Sequence, residues 1–290
     1  MSKLLHNSKA NILIFGKNGQ VGNALCDNLN KHEDFDIQSY SSKDVDFANL
    51  QDLEIFLQNI KEKPNFIINA AAYTNVDKAE DEKELADIIN HKAVEVIAKF
   101  CSENNIILMH YSTDYVFDGS GDEPFETSNT KNLKPINHYG QTKLDGERAI
   151  INSNCNYVII RTSWVYDERP ASKNFVNTIK RLAQEKEEIS IVCDQIGSPT
   201  SATFIAKKTL DIIDVIKNNN LISKKDSSIK NILHFIEEDY MSWHDFACKI
   251  IDNMKQKNIK ILVKKINPIK TIDYKTKAKR PLNSRLLYSS

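Results

Sequence analysis

The chain has 290 residues, 41% of them hydrophobic, and its 39 basic residues balance its 39 acidic ones. This length and hydrophobic content predict one large domain or two coupled domains, since domains cluster near ~100 to 200 residues. A net charge of zero provides no field that would attract nucleic acid or an anionic membrane. We therefore expect neither as a partner.

The cysteines and the hydrophobic pattern indicate a cytoplasmic protein. The five cysteines are odd in number, widely spread and without a C-x-x-C pair, which argues against a disulfide framework and a zinc site. No stretch reaches the ~18 to 20 apolar residues of a membrane span. Residues 1–10 build no apolar segment of a secretion signal.

Short apolar runs alternate with segments of helical spacing in the first half of the chain. The predicted strands are Asn11 to Phe15, Phe35 to Tyr40, Phe66 to Ala70, Ile106 to His110 and Tyr157 to Ile160. The predicted helices are Val21 to Leu29, Leu50 to Ile60, Lys78 to Cys101 and Tyr139 to Ile151. This alternation predicts an α/β fold with a doubly wound parallel sheet, a Rossmann-like domain over residues 1–163.

The alternation loosens in the second half of the chain. The predicted elements there are helices at Asn174 to Lys186, Ala202 to Lys217 and Trp243 to Met254, and a strand at Ile189 to Val192. Ligands of open α/β sheets bind at the carboxyl ends of the strands. We therefore expect residues 164–290 to form a smaller substrate-binding lobe, interleaved with the first domain, that covers this edge.

Three of the eight glycines, Gly16, Gly19 and Gly22, lie between the first predicted strand and the first helix. Glycines permit a tight turn and the close approach of a pyrophosphate, which binds the free N–H groups of a helix start. The spacing is G-x-x-G-x-x-G and not the commoner G-x-G-x-x-G. Its place between strand and helix predicts a dinucleotide site, and a glycine turn without a ligand is the alternative.

The segment after the second strand bears on the choice of cofactor. An acid there would hold the ribose 2′-hydroxyl of NAD, but the stretch from Gln38 to Lys43 contains none before Asp44. Hydroxyls and a lysine could accommodate a 2′-phosphate, so we expect NADPH, with NADH as the alternative. The other residues predicted to contact the cofactor are Gln20, Val21, Asp46, Phe47, Ala71, Ala72, Tyr73 and Tyr111.

Tyr139 and Lys143 are four residues apart, which places both on one face of the predicted helix. A free phenol has a pKa of ~10, and a nearby ammonium favours the phenolate. Such pairs also occur by chance on solvated helices. Together with the glycine loop and the Ser112-Thr113-Asp114 stretch after the fourth strand, this pair predicts a carbonyl reductase. Tyr139 would donate the proton, Thr113 would bond the carbonyl oxygen, and Lys143 would bond the nicotinamide ribose.

Several sequence strings resemble the dTDP-4-dehydrorhamnose reductase family of the short-chain dehydrogenase/reductase superfamily. They are Phe15 to Gly22, Asn69 to Glu80, Tyr111 to Gly119, Tyr139 to Glu147, Arg161 to Tyr166, Asp194 to Thr200 and Lys279 to Leu286. The resemblance implies reduction of the C4 ketone of dTDP-4-dehydro-β-L-rhamnose to dTDP-L-rhamnose. Hydride would come from the nicotinamide and the proton from Tyr139.

The same resemblance assigns residues to the nucleotide-sugar substrate. Thr113 and Asp114 would touch the sugar, and Trp164 would pack against it. Arg280 and Asn283 could meet the diphosphate, because a guanidinium offers a fork matched to phosphate oxygens. The alternatives are a core aromatic role for Trp164 and a surface salt bridge for Arg280.

Members of this family form dimers in which acidic side chains hold Mg²⁺. The matching positions of this chain are Ala24 and Thr203. Neither supplies the carboxylate that magnesium prefers. We therefore expect no metal ligand and a monomer or a weak homodimer.

Two other functions remain open. The regulatory subunit of methionine adenosyltransferase is similar in fold and in several strings without reducing a sugar, so a non-catalytic cofactor-binding subunit is one. A reductase or epimerase acting on another nucleotide sugar is the other. The presence of Thr113, Tyr139 and Lys143 favours an enzyme.

Overall fold

The computed structural model describes residues 9–219, 221–222, 228–237 and 239–289. The prediction about a secretion signal falls mostly on residues 1–8, which lie outside these ranges. Within them, no helix combines the length and the apolar character needed to cross a membrane.

The secondary structure follows the predicted alternation. The strands are β1 (Ala10–Phe15), β2 (Phe35–Tyr40), β3 (Phe66–Asn69), β4 (Ile107–Thr113), β5 (Asn156–Thr162), β6 (Val165–Tyr166), β7 (Glu188–Val192), β8 (Ile196–Gly197), β9 (Thr200–Ser201), β10 (Lys230–Phe235), β11 (Met241–Ser242) and β12 (Lys265–Ile269). The α-helices are α1 (Gln20–Leu29), α2 (Leu50–Gln58), α3 (Lys83–Asp87), α4 (Ala93–Asn104), α5 (His138–Asn152), α6 (Phe175–Glu185), α7 (Ala202–Asn218) and α8 (Trp243–Gln256).

Six strands form one parallel sheet in the order β10-β5-β4-β3-β1-β2. From β1 the chain moves outward to β2 and then crosses back to β3 on the other side of β1. The crevice at such a reversal of strand order is where open α/β sheets bind ligands. The predicted doubly wound, Rossmann-like sheet is confirmed.

Both faces of the sheet are covered by helices, as in other parallel sheets. Alternate residues of β1 show this directly, since each is at most 2% exposed. Ile12 and Ile14 belong to a core shared with α1 and α7, whereas Leu13 and Phe15 belong to a core shared with α2 and α4. The uninterrupted apolar run of this strand follows from burial on both sides.

The second half of the chain contributes elements to the main sheet and to a separate smaller layer. Helix α7 packs on α1, and β10 pairs with β5 at the edge of the main sheet. Helices α6 and α8 enclose a separate core with the parallel pair β7 and β12. Residues after 163 therefore contribute both to the main sheet and to a smaller layer beside it.

The helix predicted from Lys78 to Cys101 is confirmed only in part, since the chain is continuously helical from Lys83 to Asn104 but not regular. The structure has a 3-10 turn at Lys78–Glu80, then α3, a π-helical segment at Ile88–Lys92 and α4. Gly146 of α5 packs on this segment, because a Cβ there would lie 2.2 Å from the carbonyl oxygen of Asn90. The π-helical segment accommodates the close contact between the two helices.

Candidate active site

The three glycines of the turn between β1 and α1 are accommodated for different structural reasons. Gly16 has a φ of +86°, and a Cβ there would lie 2.6 Å from the backbone of Ala70. A Cβ on Gly22 would lie 2.1 Å from the carbonyl oxygen of Gly16. At Gly19 the nearest atom to a Cβ would be 3.3 Å away. Close packing explains Gly16 and Gly22, and a Cβ at Gly19 would also be tight. Gly19 lies directly before the start of α1, a position that favours an anion.

A cleft of about 220 Å³ lies beside this turn, at the carboxyl ends of β1, β2 and β3. Its lining is Phe15, Gly16, Asn18, Gly19, Tyr40, Ser41, Ser42, Val45, Asp46, Phe47, Ala70, Ala71, Ala72 and Ile89. The predicted residues Asp46, Phe47, Ala71 and Ala72 are among them. Small side chains and the start of α1 at a strand-order reversal fit the adenosine and pyrophosphate of a dinucleotide.

Gln20 has a role beyond the one predicted for it. Its Oε1 accepts hydrogen bonds from the backbone N–H of Asp167 at 3.0 Å and from Nδ2 of Asn174 at 2.8 Å. Both partners lie in the second half of the chain. Gln20 therefore connects the glycine turn by hydrogen bonds to the segment that follows β6.

Three further residues predicted to contact the cofactor point elsewhere in the structure. Val21 packs against the core below α1. The hydroxyl of Tyr73 donates to Glu82 at 2.5 Å. The hydroxyl of Tyr111 lies 2.7 Å from that of Thr209, inside the core. For Tyr111 it is the backbone carbonyl that faces the catalytic residues.

The loop after β2 uses its hydroxyls internally. Ser41 Oγ donates to Asp44 Oδ2 at 2.8 Å, and Lys17 Nζ lies 2.9 Å from the same oxygen. The Ser41 backbone N–H and then Lys17 lower the pKa of Asp44 to about 2. Sequence reasoning assigned the cation of this corner to Lys43 and missed Lys17, whose place inside the glycine loop was the available signal.

The start of α5 presents the predicted catalytic pair. Asn137 Oδ1 accepts a hydrogen bond from the backbone N–H of Gly140 at 2.8 Å, which caps the helix. The cap places Tyr139 in the first turn and Lys143 one turn later, on the same face. Local sequence therefore fixes the spacing of the two side chains.

Tyr139 lies against β4 and the residues that follow it. Its ring meets Tyr115 edge-on with centroids 5.6 Å apart, and its hydroxyl faces the side chain of Thr113. Burial of the hydroxyl, followed by the nearby Asp114 carboxylate, raises the pKa of Tyr139. The direction is opposite to the hypothesis of a phenolate favoured by Lys143, so Tyr139 is a protonated acid at neutral pH.

Thr113 and Asp114 extend this polar cluster. Thr113 Oγ1 donates to Asp114 Oδ1 at 3.0 Å and accepts from the backbone N–H of Tyr115 at 3.2 Å. Asp114 is buried, and desolvation raises its pKa to about 6. Thr113 thus connects a buried carboxyl group to the phenol of Tyr139.

Lys143 is buried and its amine contacts two neutral groups. Nζ donates to the carbonyl oxygen of Tyr111 at 2.6 Å and lies 3.2 Å from Nε2 of His110. Desolvation lowers the pKa of Lys143 to about 8. Sequence reasoning missed His110, although a histidine within an apolar strand was a visible signal.

Arg280 reaches the same region from the C-terminal segment. Its Nη2 lies 2.6 Å from Asp77, and its Nη1 donates to the hydroxyl of Tyr115 at 3.4 Å. The salt bridge that the sequence left as an alternative is therefore present. Because the ring of Tyr115 also contacts Tyr139, Arg280 lies one residue away from the candidate proton donor.

Asn283 holds the C-terminal segment in place. Its two amide hydrogens go to the carbonyl oxygens of Ser120 and Glu123, at 3.2 and 2.8 Å. Its Oδ1 accepts from the backbone and side chain of Arg285. These contacts occupy the groups that were predicted to meet a diphosphate.

Trp164 is half-buried at the junction of β5 and the second core. Its ring stacks on Trp243 with centroids 3.5 Å apart and planes 9° apart. On another side a Cβ at Gly197 would lie 2.5 Å from the indole. Trp164 also has a φ of +49°, which costs backbone strain in a side chain of this size. The surrounding packing therefore determines its position.

The positions expected to lack metal ligands lie close to each other. Ala24 and Thr203 line one hollow between α1 and α7, together with the acids Asp27, Asp167 and Glu168. Among the described residues, no group of three or more His, Cys, Asp or Glu side chains is arranged to hold a metal ion.

Comparison with known proteins agrees with this geometry. Residues 10–290 match the family model described as the RmlD substrate binding domain. The chain is 41% identical over 281 residues to the dTDP-4-dehydrorhamnose reductase of Escherichia coli K12, covering 95% of this chain and 89% of that protein.

Two solved structures resemble the whole fold. The dTDP-4-dehydrorhamnose reductase of Bacillus anthracis in complex with NADP has a TM-score of 0.82 and 35% identity, over 97% of this chain and 91% of that one. The orthologue from Clostridium acetobutylicum has a TM-score of 0.83 and 33% identity, over 96% and 90%. The chain therefore belongs to the dTDP-4-dehydrorhamnose reductase family and is an NAD(P)H-dependent oxidoreductase.

Proposed function

We propose that the chain reduces the C4 ketone of dTDP-4-dehydro-β-L-rhamnose to dTDP-L-rhamnose with NADPH. One observation carries the proposal: the protonated phenol of Tyr139 lies beside Thr113 at the carboxyl end of β4, one helical turn from Lys143. The similarity to enzymes named for this reaction supports the choice of substrate.

The cofactor would lie along the carboxyl edge of the sheet. Gly16, Gly19 and Gly22 would let the pyrophosphate approach the start of α1, because none of them carries a side chain over the turn. Lys17 would supply positive charge to a 2′-phosphate by exchanging part of its contact with Asp44. When bound, NADPH supplies the hydride for the reduction. The relative that contains NADP supports this preference, with NADH as the alternative.

Tyr139 would act as the general acid. Its raised pKa keeps the phenol protonated at neutral pH, the form needed to give a proton to the ketone oxygen. The hydroxyl of Thr113 would bond the same oxygen and hold it near the phenol. Lys143 would bond the nicotinamide ribose, because its amine lies between β4 and the first turns of α5.

The nucleotide sugar would lie on the side of Tyr115. Arg280 donates to Tyr115 and borders a cleft of about 640 Å³ that also includes Lys275, Lys277 and Lys279. This positive lining suits a diphosphate. Asp114 and Trp164 would contact the sugar, and residues 164–290 would supply most of the substrate-binding surface. For Asn283 we propose an indirect role, holding this segment in place.

The other interpretations are less well supported. A regulatory subunit has no need of an acid, a hydroxyl and an amine gathered at one strand end, and the relatives described above are named as reductases. A different nucleotide sugar would use the same acid and cofactor, so only a substrate comparison separates it. The cytoplasmic location and the monomer or weak dimer stay predictions.

The test is a reduction assay with purified protein. Oxidation of NADPH or NADH is followed at the nicotinamide absorbance band with dTDP-4-dehydro-β-L-rhamnose, and the product is identified by NMR. We expect dTDP-L-rhamnose and a higher kcat/KM with NADPH. Cofactor binding without turnover would instead support a regulatory subunit. Faster turnover of another 4-keto nucleotide sugar would move the assignment to that substrate.

A further inference from the structure

A chain of buried hydrogen bonds runs from the cofactor cleft to the amine of Lys143. The backbone N–H of Ala71 donates to Asn69 Oδ1 at 3.1 Å, and Asn69 Nδ2 lies 3.1 Å from Nδ1 of His110. Nε2 of His110 lies 3.2 Å from Nζ of Lys143. The three side chains are at most 2% exposed. The chain therefore joins a loop that lines the cleft to the catalytic lysine.

The direction of each bond follows from its first member. A backbone N–H can only donate, so the Asn69 atom that it meets is the oxygen. The amide nitrogen of Asn69 then faces His110 and donates to Nδ1. A neutral imidazole carries one N–H, so in His110 the hydrogen lies on Nε2. Full burial lowers the pKa of His110 well below its usual value, which agrees with a neutral ring.

This direction places an N–H donor against the amine. An ammonium group has three donors and no acceptor, so it would meet the Nε2–H of His110 with like polarity. A free amine fits both contacts, since it donates to the Tyr111 carbonyl and accepts from His110. The geometry thus favours the uncharged form of Lys143.

The charged and titratable groups around Lys143 do not reverse this preference. On α5, Glu147 is bound through both oxygens to Arg161 of β5, at 2.9 and 2.6 Å. Tyr139 on α5 is a protonated phenol. On β4, His110 is neutral and the hydroxyl of Tyr111 lies in the core.

After β4, the Asp114 carboxyl is bonded by Thr113. Burial raises the pKa of Asp114 to about 6 and that of Tyr115 to about 12. Glu147 is the carboxylate that raises the pKa of Lys143, and it is paired with Arg161.

We infer that Asn69 and His110 are positioning residues that stabilise the free amine of Lys143, and that at mildly alkaline pH Lys143 takes up a proton from solvent when the dinucleotide cofactor binds. The inference rests on the proposed function. An anionic ligand beside a buried amine favours the charged form, and ribose hydroxyls offer an ammonium the acceptors that His110 does not. The step involves no oxidation or reduction. The lone pair of Lys143 Nζ binds the added proton and forms the third N–H bond.

Calorimetry of NADPH binding in buffers of different ionisation enthalpy measures this proton directly. With a free-protein pKa of about 8 and a return toward the ordinary ~10.4 on binding, about 0.7 proton is taken up at pH ~8.5 and about 0.1 at pH ~7. Binding at pH ~8.5 without proton uptake would overturn the inference and leave the proposed function intact. Absence of binding by both NADPH and NADH would overturn both.

The variant Asn69→Asp reverses the direction of the chain with little change in shape. An oxygen then faces Nδ1 of His110, the ring hydrogen moves to Nδ1, and Nε2 accepts from an ammonium. We expect proton uptake at pH ~8.5 to fall at least about fivefold. The matched control is Asn65→Asp, at the other end of β3, which should behave as the wild type. Equal uptake in Asn69→Asp and wild type would contradict the role of Asn69.

A measurement on the unmodified protein guards against a variant that fails to fold. Long-range proton–nitrogen NMR spectra report which ring nitrogen of a histidine carries the hydrogen. We expect His110 to be protonated on Nε2 in the free protein at pH ~9, where the amine of Lys143 is mostly uncharged. Protonation on Nδ1, or on both nitrogens, would overturn the inference.

Discussion

Two buried basic side chains, Lys143 of α5 and Arg161 of β5, have different partners beside helix α5. Arg161, 1% exposed, donates through Nε and Nη2 to both oxygens of Glu147. Lys143, 2% exposed and one turn nearer the helix start, contacts the Tyr111 carbonyl and His110. Arg161 therefore pairs with a carboxylate, whereas Lys143 contacts neutral groups.

This difference distinguishes the part of α5 that stabilises the fold from the part that we propose takes part in the reaction. A buried ion pair with bidentate geometry keeps its charges fixed, and removing one partner leaves an uncompensated charge. A buried amine among neutral groups can change its protonation state, and such perturbed groups concentrate at functional sites. We therefore expect the Tyr139 end of α5 to govern turnover and the Glu147 end to govern folding.

The largest expected effect is on turnover, from Tyr139→Phe. This change removes the proton donor and keeps the ring that packs on Tyr115. We expect kcat to fall by about 10²- to 10⁴-fold, the usual contribution of general acid catalysis. Stopped-flow or steady-state assays measure kcat, and calorimetry should show unchanged NADPH binding. A kcat within threefold of wild type would show that another group donates the proton.

Glu147→Gln should mainly affect folding. The change leaves the guanidinium of Arg161 buried without a counter-charge, and breaking such a pair costs about 3 to 5 kcal/mol in the free energy of unfolding. Urea denaturation followed by circular dichroism measures the loss. The matched control is Asp145→Asn on the same helix, whose partner Arg148 is exposed. There we expect less than about 1 kcal/mol.

The protein with Glu147→Gln should keep its chemistry where it remains folded. We expect kcat per folded molecule to stay within a few-fold of wild type, because Glu147 does not touch the proposed reacting atoms. If folding were unchanged and kcat collapsed, the division of α5 into a catalytic and a structural end would be wrong.

Lys143→Met should have the smallest effect of the three main substitutions, and it should stabilise the folded protein. The folded-state pKa of Lys143 is lowered to about 8, so below that pH the native protein holds an ammonium that burial disfavours. Between pH ~8 and ~10.4 the unfolded chain binds more protons, so wild-type stability rises with pH relative to the variant. We expect the variant to be more stable at pH ~7, by up to about 3 kcal/mol, and the gap to close by pH ~10.4.

Thermal unfolding of both proteins across this pH range measures the gap. A variant less stable than wild type at pH ~7 would show that the ammonium has a compensating partner. It would also remove the contrast with Arg161.

Local patterns predicted the elements that bear the site. The strand, glycine turn and helix around Gly16 depend on neighbouring residues, as does the spacing of Tyr139 and Lys143 on α5. Strand β10 was missed, because three of its six residues are polar, which gives a weak pattern, and it is stabilised by pairing with β5. The π-helical segment at Ile88–Lys92 was missed because apolar spacing predicts a helix without its hydrogen-bond pattern, and its close contact with Gly146 joins residues far apart in the chain.

The amino-acid sequence by itself determined the parallel α/β sheet, the glycine turn and the pairing of a phenol with an amine on one helix face. These depend on apolar periodicity, glycine geometry and helical repeat, which act over a few residues. Only the tertiary structure decided which charge each buried group can hold. Burial and hydrogen-bond direction come from residues distant in sequence, and they give Arg161 a carboxylate and Lys143 the N–H of His110.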